Sequence, residues 1–179
     1  MKHLMKIAVS VFACSFILVS FSFAQSNPKL TDPEIAKVAV VANQTDINYA
    51  NIAKKKSKST DVLKFAQTMI DDHTSVINQA VALVTKLGVT PKDNAVSKKL
   101  LADAEITKKM LKAKSAKDFD KAYVDNEVAY HKAVISAVET LLIPQSQDAE
   151  LKKLLQAVVP TLKAHLGHAE MLQKMFIAK

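Results

Sequence analysis

Three histidines and one aspartate occupy positions where the helices of this chain would otherwise place apolar side chains. His73, His131 and His165 each fall in the apolar stripe of a different predicted helix, and Asp46 has the same position in a fourth. A polar side chain on an inward face is costly unless it is paired, protonated or bound to a ligand. Four such residues at a similar height can form either a buried polar layer or a metal site.

Two further residues extend this set of candidate ligands. Glu127 lies one helical turn before His131, and His168 lies one turn after His165. The complete set is Asp46, His73, Glu127, His131, His165 and His168. Neutral imidazole and carboxylate groups suit Zn²⁺, Cu²⁺, Mn²⁺ or Fe²⁺, and spacing alone does not choose among these metals.

The alternative to a metal site is a structural one. Asp46 with His73, and Glu127 with His131, can be buried polar pairs that fix the register of the helices. Asp72 and His73 are adjacent on one helix and cannot both point to the same side. With His73 facing inward, Asp71 and Asp72 are expected to face solvent.

Five segments with helical periodicity are predicted, and four of them are long enough to form a bundle. The long helices are predicted at about Asp32–Lys56, Thr60–Leu87, Asp118–Leu142 and Gln147–Ile177. A shorter helix, about Ala95–Lys112, is predicted as a linker that packs across the bundle. Pro144 is expected to stop the third long helix, and Pro160 to kink or split the fourth. Because each long helix has one apolar stripe, the fold class is predicted to be an all-α four-helix bundle.

Composition excludes several classes of function. The chain has two glycines and one cysteine, so a Gly-rich phosphate loop, a disulfide and a cysteine-ligated metal are not expected. Its 25 basic residues exceed its 17 acidic ones, and every basic residue is lysine. Bidentate recognition of bases favours arginine, so sequence-specific nucleic-acid binding is not expected. The positive charge instead suits an anionic envelope surface or another envelope protein as the partner.

The N-terminal segment is typical of a secretory signal peptide. A basic start and an apolar stretch over residues 7–21 precede small residues at Ser22 and Ala24, the −3 and −1 positions of a cleavage site. We therefore expect residues 1–24 to be removed and residues 25–179 to form one domain. No later segment approaches the roughly 20 apolar residues that cross a bilayer. Export to the periplasm or cell envelope, without a transmembrane span, is expected.

Three separated motifs resemble a family of exported bacterial proteins, domain of unknown function 4142. The motifs are Asp61 to His73 (DVLKFAQTMIDDH), Phe119 to Tyr123 (FDKAY), and Pro160 followed by His165. The resemblance covers essentially the whole chain after the leader. It implies a ferritin-like four-helix bundle of an outer-membrane or periplasmic protein, and it implies no established activity.

Ferritin-like bundles often hold a di-metal carboxylate centre, whose ligands include Glu-x-x-His on two helices. The chain contains no Glu-x-x-His, so oxygen-activating di-iron chemistry is not expected. The sequence thus predicts an exported, ferritin-like protein of binding or structural type. A binding or structural role is favoured over an enzymatic one. The alternative is a periplasmic metal-binding protein with a histidine and carboxylate site in the bundle core.

Overall fold

Helices account for nearly all of the computed structural model, which describes residues 28–177. The elements in chain order are α1 (Asp32–Lys56), α2 (Thr60–Lys86), α3 (Ala95–Ala113), α4 (Ala116–Ala137), a π-helical turn (Val138–Leu142), α5 (Ile143–Gln145) and α6 (Ala149–Ile177). No strand occurs within that range. The predicted all-α bundle, with four long helices and one shorter helix between the second and third, is therefore confirmed. The predicted signal peptide lies outside the described residues.

Local residues explain where the helices begin and end. At the start of α1, the Glu34 carboxylate accepts a hydrogen bond of 2.9 Å from the backbone N–H of Thr31. The Ser59 hydroxyl accepts from the backbone N–H of Val62 at the start of α2. Beyond α2, Gly88 has a φ of 65°, a left-handed conformation that glycine adopts without a steric penalty. These signals act over three or four residues, which is why the bounds predicted from sequence lie close to the observed ones.

Both internal prolines are accommodated within helical segments. The prediction that Pro144 stops the third long helix is wrong, because helical structure continues through the π-helical turn and α5 to Gln145. Pro144 falls in the first turn of α5, where the missing N–H costs little. Pro160 lies inside α6, which is continuous from Ala149–Ile177. The alternative in which the fourth helix splits at this proline is therefore wrong.

The four long helices form a ring in which each neighbour is antiparallel. α1 packs against α2 and α4, and α6 packs against the same two helices. At one end of the ring, Lys86 at the end of α2 pairs with Glu150 at the start of α6, 2.6 Å apart. There Asp32 also accepts backbone hydrogen bonds of 2.9 Å from Gln147 and Asp148. The start of α1 is thus tied to the connection between α4 and α6.

α3 lies along α1 and does not pack across the bundle as predicted. At its start, the Asn94 side chain donates a hydrogen bond of 3.0 Å to the Glu34 carbonyl. At its end, the Lys56 ammonium donates to the carbonyls of Lys112 and Lys114 at 2.6 and 2.8 Å. α3 therefore runs parallel to α1 and returns the chain to the end of the bundle where α4 begins. One such long crossover is compatible with a four-helix bundle.

Two apolar clusters fill the interior, and the polar residues lie between them. The first cluster surrounds Phe65, Phe119 and Tyr123, and the second surrounds Ile35 and Leu155. On every long helix, the segment that joins the two clusters carries one of the buried polar side chains. None of the helices between residues 28 and 177 is both long enough and apolar enough to cross a membrane.

Candidate metal centre

Three imidazole rings from three different helices meet between the two apolar clusters. His73 comes from α2, His131 from α4 and His165 from α6, and all three are buried. Their ring centroids lie 5.2 to 5.8 Å apart. Each ring offers one nitrogen, and these three nitrogens lie within 4.8 Å of one another. The spacing that puts one histidine on each apolar stripe therefore brings three rings to one point.

Asp46, from the fourth helix α1, places a carboxylate beside these rings. The residue has no exposed surface, and its Oδ2 lies 3.2 Å from His73 Nε2 and 3.5 Å from His131 Nε2. With the ring protons on the opposite nitrogens, both carboxylate oxygens and both nitrogens have no hydrogen-bond partner among the described residues, and a protonated His73 would pair with Oδ2 at the 3.2 Å distance. The carboxylate of Asp46 and the three rings thus lie close together while the atoms that face the centre form no hydrogen bonds among themselves in the neutral tautomers.

Each histidine is oriented by a hydrogen bond through its other nitrogen. His73 Nδ1 lies 2.7 Å from Asn43 Oδ1, and His131 Nδ1 lies 3.0 Å from the backbone carbonyl of Glu127. His165 Nε2 lies 2.8 Å from Asp72 Oδ2. Carbonyl and carboxylate oxygens only accept, so the ring proton belongs on these nitrogens. The remaining nitrogen of each ring then presents a lone pair to the centre, as in histidines that bind metals.

The electrostatics of the centre favour a cation. Burial lowers the pKa of His131 and of His165 below the usual value, so both rings are neutral at physiological pH. For Asp46, burial acts to raise the pKa, but attraction to positive charge on the surrounding histidines, with His73 foremost, outweighs it and holds the pKa below its usual value. The buried carboxylate of Asp46 is therefore an anion that requires a positive charge beside it, and either a protonated imidazole or a bound cation supplies that charge.

A second carboxyl group borders the same centre. Glu127 is fully buried on α4, and one ligand atom from each of Asp46, Glu127 and His131 lies within 4.8 Å of the others. Burial, followed by the neighbouring Asp46 carboxylate, raises the pKa of Glu127 well above its usual value. Burial, with Glu127 and Asp46, also raises the pKa of Tyr123 well above 10. Glu127 is thus a neutral acid in the metal-free protein, and its carboxyl group lies close enough to the centre to serve as an additional metal ligand.

The metal-free Glu127→Gln protein is expected to be more stable than the wild type near neutral pH, by an amount that grows with pH. Because burial raises the pKa of Glu127 above 4.5, the unfolded chain loses this proton at lower pH than the folded protein does. As the pH rises through that window, the wild type loses about 1.4 kcal/mol of stability per pH unit, and the glutamine variant does not. Urea unfolding of both proteins between about pH 5 and 8 measures the difference. A difference that stays constant or shrinks with pH would contradict a protonated Glu127.

Five of the six residues proposed from sequence are brought together, and the sixth lies apart. Asp46, His73, Glu127, His131 and His165 form the two overlapping groups described above. The His168 ring packs edge-on against Phe65, with 5.1 Å between centroids, and it belongs to neither group. One turn of α6 is enough to carry it from the polar centre into the neighbouring apolar cluster.

Two residues that orient the histidines through hydrogen bonds were not predicted from the sequence. Asp72 was expected to face solvent, and its side chain is 45 % exposed, yet its carboxylate holds His165. Asn43 holds His73. The available signal for Asn43 was its position one turn before Asp46, on the same face of α1. The contact of Asp72 was harder to predict. Its side chain lies beside the apolar stripe, and it reaches α6 only when α2 is rotated about its axis by the right amount.

Comparison with known proteins identifies the family of this chain through a family model. A model of the family described as "Domain of unknown function (DUF4142)" matches residues 20–172. No curated protein and no solved structure matches the chain significantly. The match spans most of the chain and all of the candidate centre, and it agrees with the resemblance seen in the sequence motifs. The chain belongs to the DUF4142 family.

Proposed function

We propose that this protein binds a divalent transition-metal ion in the middle of its helical bundle. His73, His131 and His165 supply three nitrogen ligands, and Asp46 supplies an oxygen. The observation that carries the proposal is that five buried atoms of these residues lack a hydrogen-bond partner within residues 28–177. They are both carboxylate oxygens of Asp46, Nε2 of His73 and His131, and Nδ1 of His165.

The distances also suit a metal ion. Bonds from Zn²⁺ to nitrogen or oxygen are about 2.0–2.1 Å long, so two ligands of a tetrahedral ion lie roughly 3.3–3.4 Å apart. Asp46 Oδ2 lies 3.2 Å from His73 Nε2 and 3.5 Å from His131 Nε2. A Zn²⁺ ion placed between these atoms could therefore bind Asp46 Oδ2 and both ring nitrogens at the same time.

A purely structural polar layer accounts for the same residues less well. In such a layer, the pairs would satisfy one another through hydrogen bonds. Here the neutral rings of His73 and His131 direct their protons to Asn43 and to the Glu127 carbonyl, which leaves Asp46 without a donor from either ring. Each buried polar group left in that state costs about 1–3 kcal/mol. Three imidazoles with one carboxylate suit Zn²⁺ first, and Cu²⁺, Mn²⁺ and Fe²⁺ remain comparison ions for the experiment.

We further propose that the protein works outside the cytoplasm, in the periplasm or cell envelope of a bacterium. The support is the leader-like segment over residues 1–24, with its basic start and its apolar stretch. The excess of lysines suits contact with an anionic envelope surface or an acidic envelope protein. In this location, a buried site of histidines would bind or buffer metal ions.

The proposal is tested by the metal content of untagged protein purified without chelator, and by calorimetric titration of metal-free protein with Zn²⁺. Near-stoichiometric metal and a single tight site are expected. Metal-free native protein that takes up none of the four ions would overturn the proposal.

Replacement of Asp72 by alanine is expected to weaken zinc binding about 10–100-fold. The carboxylate of Asp72 fixes the orientation of His165 through a hydrogen bond of 2.8 Å, and without it the ring is free to turn its lone pair away from the ion. Asp71→Ala is the matched control, because the neighbouring Asp71 is exposed and accepts a hydrogen bond from Gln67 on its own helix. Competition with a chromophoric chelator measures both affinities. Equal affinities in the two variants would show that Asp72 does not orient a ligand.

A further inference from the structure

A cavity of about 270 Å³ lies against the histidine cluster. This volume is close to the lower end of small-molecule sites, roughly 300–1,000 Å³. Its walls are mainly alanine, valine and leucine side chains, and those from the second apolar cluster include Ala39, Val134, Val138, Leu155 and Val158. The cavity is therefore an apolar space inside the bundle that opens onto a group of metal-ligating side chains.

The cavity is elongated along the bundle, with the polar group at one end. Its lining on α1 extends from Ala36 to Asp46, and its lining on α6 extends from Leu151 to His165. At 1.5 Å per residue these spans are about 15 and 20 Å. The ion pair of Lys99 with Asp103 on α3, 2.7 Å long, borders one side. The shape suits a slim chain whose single polar group lies at the histidine end.

Packing differs between the two halves of the bundle. Phe65, Met69, Phe119 and Tyr123, in the half without the cavity, have no exposed surface. Val76, Val134 and Val158 hold equivalent interior positions in the other half and are only partly buried, because they face the cavity. Protein interiors normally leave few voids larger than a water molecule, so the half that contains the cavity departs from the close packing seen around Phe65 and Tyr123.

The π-helical turn contributes to this loose half. Val138 and Leu142, its first and last residues, both line the cavity. Turns of this type are uncommon and occur frequently at functional sites.

We infer that the cavity binds the aliphatic chain of a medium-chain monocarboxylate, with the carboxylate on the metal ion. This inference rests on the proposed metal site. A divalent ion with Asp46 as its one carboxylate ligand retains a positive charge at the end of an apolar cavity, and a monoanion neutralises it. Zn²⁺ accepts a fifth ligand. Without the ion, the carboxylate of Asp46 lies at that end of the cavity and repels an anionic head group.

The inference is tested by calorimetric titration of the zinc-loaded protein with decanoate, butyrate and decanol. Each additional buried CH₂ group strengthens binding roughly fourfold, so decanoate is expected to bind at least about 100-fold more tightly than butyrate. Decanoate is also expected to bind at least about 10-fold more tightly than decanol, and to lose its binding when the protein is metal-free. Affinity that is independent of chain length, or equal in zinc-loaded and metal-free protein, would overturn the inference.

A cavity-filling variant with a matched control locates the site. Val158→Phe places a ring inside the cavity, and Ala157→Phe places the same ring on the exposed face of α6. Val158→Phe is expected to weaken decanoate binding at least about 30-fold while zinc affinity stays within about threefold, and Ala157→Phe is expected to change neither. Where Val158→Phe fails to bind zinc, Ala39→Leu replaces it, since that residue also lines the cavity. Unchanged decanoate affinity in a filled variant that binds zinc would overturn the inference.

The two proposals fail in different ways. Absence of zinc binding in the wild type would remove the proposed function and this inference together. Tight zinc binding without chain-dependent uptake of decanoate would remove the inference alone and leave the metal site in place.

Discussion

Zinc ions are expected to raise the melting temperature of the metal-free protein by roughly 8–16 °C at a free concentration a thousand times the dissociation constant. A ligand that binds only the folded state then contributes about 4 kcal/mol, and each kcal/mol shifts the melting temperature of a domain of this size by about 2–4 °C. His165→Ala is expected to abolish most of this rise. It removes a nitrogen that lies within 4.8 Å of the corresponding nitrogens of His73 and His131.

His168→Ala is the matched control for this experiment. His168 is on the same helix, one turn further along, and its ring packs against Phe65, outside the cluster. This variant is expected to lower the melting temperature through lost packing but to retain the full zinc-dependent rise. Differential scanning calorimetry with and without zinc measures both quantities. Equal zinc responses in His165→Ala and His168→Ala would contradict the assignment of ligands.

Asp46→Asn is expected to destabilise the protein with and without metal, and by a larger margin with zinc. In the metal-free protein, the surrounding histidines hold the pKa of the Asp46 carboxyl below its usual value, so at neutral pH the carboxylate contributes stability that a neutral amide does not. In the presence of zinc the loss is larger, because the amide is a much weaker ligand than the carboxylate. Urea unfolding of both proteins, with and without zinc, measures the two differences.

A structural role for Asp46 predicts a different outcome. If the residue served only to fix helix register through His73, the amide would weaken that pair by the same amount under every condition. Zinc would then have no effect on the difference in stability between Asp46→Asn and the wild type. The zinc dependence of that difference therefore distinguishes the two explanations.

Helix positions and the common level of the polar residues could be read from the sequence for local reasons. Capping at Thr31 and Ser59 and glycine at residue 88 depend on a few adjacent residues. In a bundle of antiparallel helices, mid-height residues stay together whichever way each helix points. This is why the residue types and spacing of His73, His131 and His165 were informative before the fold was known.

The remaining features depend on how each helix is rotated about its axis and on how the helices pack. Asp72 reaches His165 only because α2 turns that side chain toward α6. The position of α3 along α1 depends on contacts made by Asn94 and Lys56 with distant backbone carbonyls. The cavity exists because apolar stripes that look equivalent in sequence pack closely in one half of the bundle and loosely in the other. No periodicity in a single sequence encodes these tertiary details.

Zinc K-edge X-ray absorption of the stoichiometric complex tests the central claim most directly. The account predicts a first shell of three imidazole nitrogens and one or two oxygens at about 2.0–2.1 Å. The imidazole signal is expected to be unchanged in His168→Ala, and to fall from three rings to two in His165→Ala loaded at concentrations above its weakened dissociation constant. A zinc ion surrounded mainly by water oxygens, or by the same ligands in both variants, would contradict a metal centre formed by His73, His131 and His165.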